Sequence, residues 1–459
     1  MKVIPSGSGV RVESGGESLI SSAGAAMLLA TARVSGLAMA LSDGLAPWRT
    51  TRSVHDPGKT VLDLAVAIAL GGDCLADIGV VRAQPELFGP VASDPTVSRL
   101  IEALAEQPAE AIAAIRAARA HARARVWSHR SPFAEDAANG PDGGRVVVDL
   151  DATLIGAHSE KEHATPNFKR GFGFHPMLAF VDHGEGGSGE PLAGLLRPGK
   201  ANANDAADQI QVLDDALGQL PEPVRSRVLV RGDTGSGVQA FVWHVHRLGL
   251  EYSVGVYGRQ PVLDALAVLP KQAWRKALDA DGRPREGAQV AELTRWLPAT
   301  FKGWPPGMRV IARRERPHPG AQLRITDHEG WRITVFATNT PGGRLADLEV
   351  RHRLRARAED RIRALKDTGA TNLPLQAFDK NQLWLELAQL AAELLVWTQL
   401  LAWHDQPARV WEPKRLRLRL LAVAGRVITT GRRRILRLSQ QWPWADLVVG
   451  GHRRLAALT

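Results

Sequence analysis

The sequence predicts a mixed α/β protein, and three observations lead to that prediction. Runs rich in β-branched residues predict five strands, at residues 145–156, 173–182, 190–197, 228–233 and 251–257. Helical patterns separate the last three strands, at 201–220 and 238–248. Two of the strands end in an aspartate, Asp151 or Asp233. The order of three strands, helix, strand, helix and strand is typical of an RNase H-like fold.

The composition is that of an ordinary globular protein. The chain has 459 residues, enough for about three domains, and 44% of them are hydrophobic. The single cysteine, Cys74, excludes an internal disulfide framework and a cysteine-ligated zinc site, which fits a reducing compartment. The most apolar run, 23–41, is interrupted by Arg33. We therefore expect a cytoplasmic protein with no membrane partner.

Residues 1–135 carry short helical patterns separated by tight turns. They predict helices at 61–70, 94–104 and 108–130, and a weaker one at 23–41. Such a cluster is typical of a helix-turn-helix-like DNA reader, with Thr96, Ser98 and Arg99 near the start of its last helix. A small helical bundle without DNA contacts is the alternative. A loop at 131–144, rich in Pro, Asp, Asn and Gly, predicts the end of this region.

The rest of the chain divides into four segments. Residues 136–258 hold the strands and helices of the α/β core, and 343–406 complete that core. Between them, 259–342 is rich in Trp and Arg and predicts a β-rich insertion. Its strands are expected at 308–315, 322–327 and 331–337. Residues 407–459 form a basic C-terminal segment.

The stretch 352–366 predicts one continuous helix, because it lacks Pro and Gly and is dense in Ala, Arg, Leu and Glu. On an ideal helix, four polar residues would fall within about 60° of one another. They are His352, Arg355, Glu359 and Lys366. This face carries a carboxylate between cations, which is either a solvated face with ordinary ion pairs or a functional one.

Three acids stand where the predicted fold would bring them together. Asp151 and Asp233 end strands, and Glu359 lies on the helix after the insertion. Converging carboxylates suit two-metal phosphoryl transfer, in which oxygen ligands hold two Mg²⁺ ions about 3.5–4 Å apart. The alternative is that aspartates at strand ends are turn and cap residues. Asp149, two residues earlier, is a second candidate for the first acid.

With these motifs the chain resembles the bacterial insertion-sequence DDE transposases whose third acid lies in a Tyr-Arg-Glu-Lys signature. More narrowly, it resembles the insertion-sequence family thirteen-eighty. The spacing of that signature selects His352, Arg355, Glu359 and Lys366, with His352 where the family has Tyr. The Asp-x-Thr motif of the first strand selects Asp151.

The resemblance covers roughly residues 145–404. The second family motif, an isolated Asp after a strand, selects Asp233. Similar segments also occur at 173–176, 198–205 and 366–370. The resemblance thus identifies Asp151, Asp233 and Glu359 as catalytic metal ligands.

The resemblance implies Mg²⁺-dependent cut-and-paste transposition of double-stranded DNA. The ends are cut at terminal inverted repeats, and the freed 3′-hydroxyl then attacks target DNA. Two Mg²⁺ ions, with Mn²⁺ as a substitute, and a DNA-dependent homodimer are implied as cofactor and assembly. Arg355 and Lys366 would hold the DNA backbone, with ion pairing to Glu359 as the alternative, and His352 would donate to a phosphate.

Relatives of this family also cleave through a DNA hairpin, in which a flipped base stacks on a Trp of the insertion. Position on the last insertion strand selects Trp331 for that role. Stacking on an aromatic ring contributes about 1–3 kcal/mol per base. A tryptophan that only packs on the sheet is the alternative.

The basic C-terminal segment predicts a polyanionic partner independently of the motifs. It holds 12 Lys/Arg and two acids, and so accounts for the whole net charge of +10. Alternation with leucine predicts a strand that presents Arg415, Arg417 and Arg419 on one face to DNA phosphates. A solvated surface, a membrane surface or an acidic partner subunit is the alternative.

Two other functions remain open at the level of sequence. One is an RNase H-like nuclease without strand transfer, which would give no joined transposon–target products. The other is a domesticated, non-enzymatic DNA-binding protein, against which the intact Asp151, Asp233 and Glu359 argue.

Overall fold

The chain folds around a large mixed β-sheet with helices packed against it. The structure is a computed structural model that describes residues 18–51, 53–133, 144–184, 188–257, 260–279, 281–297, 300–317 and 327–458. Of the predicted strand at 322–327, only Asp327 lies within these described ranges.

Helices form most of the described N-terminal region. Its elements are β1 (Leu19–Ile20), α1 (Ala26–Val34), α2 (Leu37–Gly44), α3 (Pro57–Ala69), α4 (Ile78–Arg82), α5 (Pro85–Phe88), α6 (Asp94–Ala105) and α7 (Pro108–His129). The single helix predicted at 23–41 is wrong, because Gly36 adopts a left-handed φ of 73° and separates α1 from α2. The other predicted helices are confirmed, and Asp56 caps α3 by accepting from the Lys59 N–H.

The strands of the α/β core follow the predicted order. The elements are β2 (Val146–Ala152), β3 (Ile155–Gly156), β4 (Thr165–Pro166), β5 (Phe172–Phe174), β6 (Met177–Asp182), β7 (Gly189–Leu195), α8 (Ala206–Gln219), α9 (Glu222–Arg225), β8 (Val228–Gly232), α10 (Gln239–Arg247) and β9 (Glu251–Val256). The strand expected at 145–156 is split into β2 and β3, and the strand expected at 173–182 is split into β5 and β6. Strands β3, β5 and β4 form a separate small sheet.

The pairing of the core strands explains how their ends meet. β2 pairs antiparallel with β6, which pairs antiparallel with β7. On its other side β2 is parallel to β8, and β8 is parallel to β9. Parallel neighbours end at the same edge of a sheet, so the chain leaves β2 and β8 side by side.

The strands after β9 extend the same sheet. The elements are α11 (Gln260–Val268), β10 (Arg275–Leu278), β11 (Pro284–Glu292), β12 (Arg309–Glu315), β13 (Asp327–His328) and β14 (Trp331–Thr338). β14 pairs antiparallel with β9, and the sheet order becomes β10-β11-β12-β14-β9-β8-β2-β6-β7. The β-rich residues 259–342 are therefore hydrogen-bonded to the core through a continuous ladder.

The C-terminal part returns to the N-terminal helices. Its elements are α12 (Leu345–Arg353), α13 (Arg357–Leu365), α14 (Phe378–Ala402), α15 (Pro413–Leu416), β15 (Gly425–Thr430), β16 (Arg433–Leu438) and α16 (Ala445–Ala456). β1 joins β15 and β16 in a three-stranded sheet, so both ends of the described chain contribute to it.

The long helix α14 lies at the centre of the packing. It contacts α3, α7 and β7, and it buries Trp384 and Trp397 completely. The helix is long and apolar enough to cross a membrane, but 94% of its most apolar window is buried inside the protein. Burial against its neighbours accounts for its hydrophobicity.

Arginines of α7 enter the same core and meet buried carboxylates. Arg119 donates to Glu386 at 2.6 Å and to Glu393 at 2.7 Å, both on α14. Arg123 donates to Glu190 of β7 at 2.7 Å. All of these side chains are buried, so removal of one partner would leave the other charge uncompensated.

Candidate active site

The three predicted acids converge at one edge of the sheet. Asp151 is the second-last residue of β2, and Asp233 directly follows β8, where Leu150 is in register with Gly232. Glu359 lies in the first turn of α13, which packs against β2 and β6. The elements predicted to carry the acids are thus adjacent in the fold.

The charges of the other two acids act on the carboxyl group of Asp151. Burial raises the pKa of Asp151, and the negative charges of Asp233 and Glu359 raise it further, to about 6. The guanidinium of Arg355 acts in the opposite direction on the same carboxyl. Asp151 therefore interacts with both other acids and with one cation of the signature.

The spacing of the three acids is wider than that of a single-ion site. Among the described residues, the set whose ligand atoms all lie within 4.8 Å is Asp73, Cys74 and Asp77, not the three acids. The three acids offer only carboxylate oxygens, which are the ligands that hard divalent cations prefer.

Local backbone contacts hold Asp233 in place. Its carboxylate accepts the Gly235 N–H at 2.8 Å and begins a tight turn after β8. Gly255 of β9 packs under that turn, and a Cβ at this position would lie 2.8 Å from the Thr234 nitrogen. Only glycine at position 255 therefore allows the turn to rest on the neighbouring strand.

Asp149 and Asp151 have different surroundings. It is 1% exposed and accepts two hydrogen bonds of 2.7 Å from Arg231, its partner in register on β8. Both oxygens are occupied by this bidentate pair, whereas Asp151 is half-buried and faces the other acids. The geometry favours Asp151 over Asp149 as a metal ligand.

Arg231 and Asp182 extend this pair into a buried network beneath the acids. Arg231 also donates to Asp182 of β6 at 2.8 Å, and Arg361 of α13 donates to Asp182 at 2.6 Å. Burial alone would raise the pKa of Asp182, but the three surrounding arginines hold it well below its ordinary value. The network links β2, β8, β6 and α13. Each of three members lies two residues along the sequence from one acid: Asp149 from Asp151, Arg231 from Asp233, and Arg361 from Glu359.

The signature does not lie on one continuous helix, and that prediction was wrong. α12 ends at Arg353, a 3₁₀ turn spans Leu354–Ala356, and α13 begins at Arg357. In the segment that follows α13, Lys366–Ala370, the backbone angles of Thr368 and Gly369 are not helical. The four residues therefore do not share an ideal helical face.

The break leaves Arg355 near Asp151, whereas Lys366 contacts the chain just after β2. Arg355 lies in the 3₁₀ turn, close enough to Asp151 to lower its pKa. Lys366 donates to the Leu154 carbonyl oxygen at 2.9 Å, just beyond β2. Burial, together with the nearby Lys169, lowers the pKa of Lys366.

His352 packs into the protein rather than lying free on the surface. Its ring stacks on Phe336 with centroids 4.4 Å apart, and its Nδ1 lies 3.0 Å from the Ser253 hydroxyl. Burial, with Arg355 as a positive neighbour, lowers the pKa of His352 to about 3. The ring is therefore neutral at physiological pH, and its contact with a phosphate stays a prediction.

The lowered pKa of His352 predicts an acid-dependent loss of stability. The unfolded chain binds this proton near pH 6.5 and the folded chain near pH 3, so stability falls as pH decreases between these values. Between pH 7 and 4 the loss is expected to be about 3 kcal/mol. The variant His352→Phe keeps the stacking on Phe336. In urea titrations, its free energy of unfolding should fall between pH 7 and 4 by about 3 kcal/mol less than that of the unchanged protein. An unchanged pH dependence would contradict the assignment.

Trp331 is half-buried at the start of β14. The guanidinium carbons of Arg314 and Arg316 each lie 4.7 Å from its ring centroid, and Arg314 also lies 4.0 Å from that of Trp274. An extruded base would compete with these guanidinium groups for the ring. Base stacking at Trp331 stays a prediction.

The arginines of the leucine-alternating stretch do not share a face, and the predicted strand there is wrong. Residues Pro413–Leu416 are α-helical and Arg417–Leu421 are π-helical. Arg415 is exposed, Arg417 donates to the Asp367 carbonyl oxygen at 2.7 Å, and Arg419 lies between the rings of Trp411 and Trp444. Of the three arginines, only Arg415 is exposed and available to an external phosphate.

The residues that the helix-turn-helix interpretation would present to DNA lie on α6. Ser98 and Arg99 are exposed on α6, and Thr96 is half-buried and accepts from Arg99 at 3.4 Å. Their contact with DNA stays a prediction.

Three residues at the edge of the site were not predicted as site residues, although His175 lies in the segment 173–176 that resembles the family. His175 is buried with its Nδ1 2.8 Å from the Ala201 carbonyl oxygen, and it interacts electrostatically with Asp233. Phe168, 71% exposed, lies 5.7 Å from the His175 ring in the turn between β4 and β5. Lys169 follows it and is exposed. The small sheet of β3, β4 and β5, formed within residues 155–174, places these residues at the edge of the site.

The sequence matches the family described as transposase DDE domain group 1 over residues 3–459. No curated protein matches the chain. Among solved structures, it is similar to the cryo-EM structure of the piggyBac transposase synaptic complex with hairpin DNA. That similarity has a TM-score of 0.42 and 9% identity, and it covers 86% of this chain and 79% of the other. The chain belongs to transposase DDE domain group 1, a family of DNA-cleaving and DNA-transferring enzymes.

Proposed function

We propose that this DNA transposase catalyses divalent-metal-dependent cut-and-paste transposition, with Asp151, Asp233 and Glu359 as its metal ligands. The observation that carries the proposal is the placement of these carboxylates: Asp151 and Asp233 lie at the ends of the parallel neighbours β2 and β8, and Glu359 lies on α13, which packs against β2. The strand order of the core, three antiparallel strands followed by two parallel ones, supports an RNase H-like fold. The signature spacing supports the insertion-sequence family thirteen-eighty.

The donor set indicates which cation the site would take. Three carboxylates without a cysteine or histidine among them suit hard cations such as Mg²⁺, with Mn²⁺ as a substitute. When bound, two such ions would activate the attacking oxygen and stabilise the leaving oxygen of the phosphodiester. Asp151 would lose the repulsion that now raises its pKa, because each cation offsets carboxylate charge.

The protein's own cations would position the DNA strand. Arg355 makes no salt bridge within 4.0 Å among the described residues, so its fork of donors is available to a phosphate beside the acids. Lys366 has one hydrogen bond, to Leu154, and three donors in total. Both groups would hold the backbone in line for displacement, which is the main contribution a protein makes to phosphoryl transfer.

The experiment that tests this function follows DNA through both chemical steps. A supercoiled plasmid carrying the element with its terminal inverted repeats is incubated with the protein, Mg²⁺ and a target plasmid. We expect linear excised element and donor backbone, followed by joined element–target molecules. Products of cleavage without joining would instead favour a nuclease.

The same assay tests the assembly and the non-enzymatic alternative. Specific binding to the repeats with no cleavage in Mg²⁺ or Mn²⁺ would favour a domesticated DNA-binding protein. A paired complex containing two DNA ends and two protomers is expected, because both ends of the element must be joined to one target. Light scattering of the protein with and without repeat DNA measures that stoichiometry.

A further inference from the structure

The hairpin formed by β15 and β16 has two chemically different faces. The register pairs Arg426 with Arg437 and Thr430 with Arg433, so alternation along each strand places these arginines on one face. All three are exposed. We call Arg426, Arg433 and Arg437 the arginine face.

The opposite face of the hairpin is fixed to the protein. Leu436 and Leu438 pack against the buried Ile20 and Ala23 of the N-terminal region. Arg434, also on this face, forms a salt bridge with Glu86. β1 pairs with β15 along its outer edge. The hairpin is therefore a supported ribbon and not a free arm.

The charges of the arginine face are not balanced within the described part of the chain. None of its members forms a salt bridge to a described residue, unlike Arg434. The sequence Gly425–Leu438 contains no Asp or Glu, and two more basic groups, Arg432 and Arg434, lie within it. Directly opposed like charges such as Arg426 and Arg437 destabilise a strand pair, so an external anion would stabilise this face.

We propose that the arginine face binds the sugar–phosphate backbone of duplex DNA, as a contact surface separate from the three acids. The proposal rests on the proposed function for the identity of its ligand. Arg433 and Arg437 are four residues apart, which spans about 13 Å along a strand. A major groove about 12 Å wide admits a two-stranded ribbon, so these guanidinium groups can reach phosphates on both sides of it.

The test is the salt dependence of binding to a short labelled duplex of random sequence, measured by fluorescence anisotropy on the full chain. Each of Arg426→Gln, Arg433→Gln and Arg437→Gln should reduce the slope of log K against log[NaCl] by about 0.9. At about 0.1 M salt this corresponds to roughly 8-fold weaker binding per substitution. Arg434→Gln, which removes the same charge from the opposite face, should leave the slope unchanged.

The outcomes separate this proposal from its competitors. Wild-type slopes in all three variants, or an equal loss in Arg434→Gln at matched unfolding temperature, would overturn it. Loss of binding to phosphatidylglycerol vesicles with unchanged DNA binding would assign the face to a membrane surface and overturn it as well. Slope changes in a protein that does not cleave its donor plasmid would support the arginine face and contradict the proposed function. Cleavage of the donor plasmid together with unchanged slopes would support the proposed function and contradict the arginine face.

Discussion

Glu359→Gln is expected to reduce cleavage of the supercoiled donor plasmid by at least about 10³-fold, because loss of one metal ligand removes several kcal/mol of transition-state stabilisation. Glu359 is exposed, so the substitution creates no cavity. It also removes one of the negative charges that raise the pKa of Asp151. The urea midpoint of the variant should therefore equal or exceed that of the unchanged protein, even though activity is lost.

The neighbouring acid provides the matched control. Asp360 is exposed in the same helical turn and pairs with Arg363 at 2.8 Å, away from the other acids. Asp360→Asn should keep cleavage within a few-fold and keep calorimetric Mn²⁺ binding, whereas Glu359→Gln should weaken that binding. Undiminished cleavage in Glu359→Gln would remove Glu359 from the site.

Arg231→Met is expected to destabilise the protein by about 3–5 kcal/mol, since it leaves Asp149 and Asp182 as buried carboxylates without their shared cation. Repulsion between β2 and β6 should then displace the strand that carries Asp151. Cleavage should fall more than DNA affinity does, and both can be measured on protein that urea titration shows to be folded.

Two further variants distinguish this effect from a general loss of positive charge. Arg363→Met breaks an exposed ion pair on α13 and should cost about 1 kcal/mol or less. Adding Asp149→Leu to Arg231→Met removes an uncompensated charge and should recover part of the stability but not the cleavage rate. A single Arg231→Met variant as stable as Arg363→Met would show that the buried network is unimportant.

The order of the core elements could be predicted because each carries a local signal. β2 and β8 are short runs of Val and Leu that end in turn residues, and their aspartates follow from position. The nearness of Asp151 and Asp233 then depends only on parallel pairing. Glu359 could be predicted from the sequence spacing of the signature, which does not depend on whether α12 and α13 form one helix.

The details that sequence could not supply depend on tertiary contacts. Propensity favours a continuous helix at 352–366, but the 3₁₀ turn lets Arg355 approach Asp151. Likewise, the period of two at 415–419 predicts a strand, but these residues are helical and widen into a π-helical turn at Arg417–Leu421, where Arg417 donates to the Asp367 carbonyl oxygen. Arg231, within the apolar run of β8, indicates a buried ion pair. Its partners Asp149 and Asp182 could not be predicted, because they lie on the separate strands β2 and β6.

The buried ion pairs between α7 and α14 constrain how this sequence can diverge. Arg119 and Glu393 are both fully buried, so a neutral replacement of either one would leave the other as an uncompensated charge in the core. A neutral substitution at one of these positions is therefore expected to need a compensating change at the other. We expect a chain that combined α7 of one relative with α14 of another to fail at folding unless both partners of each pair matched.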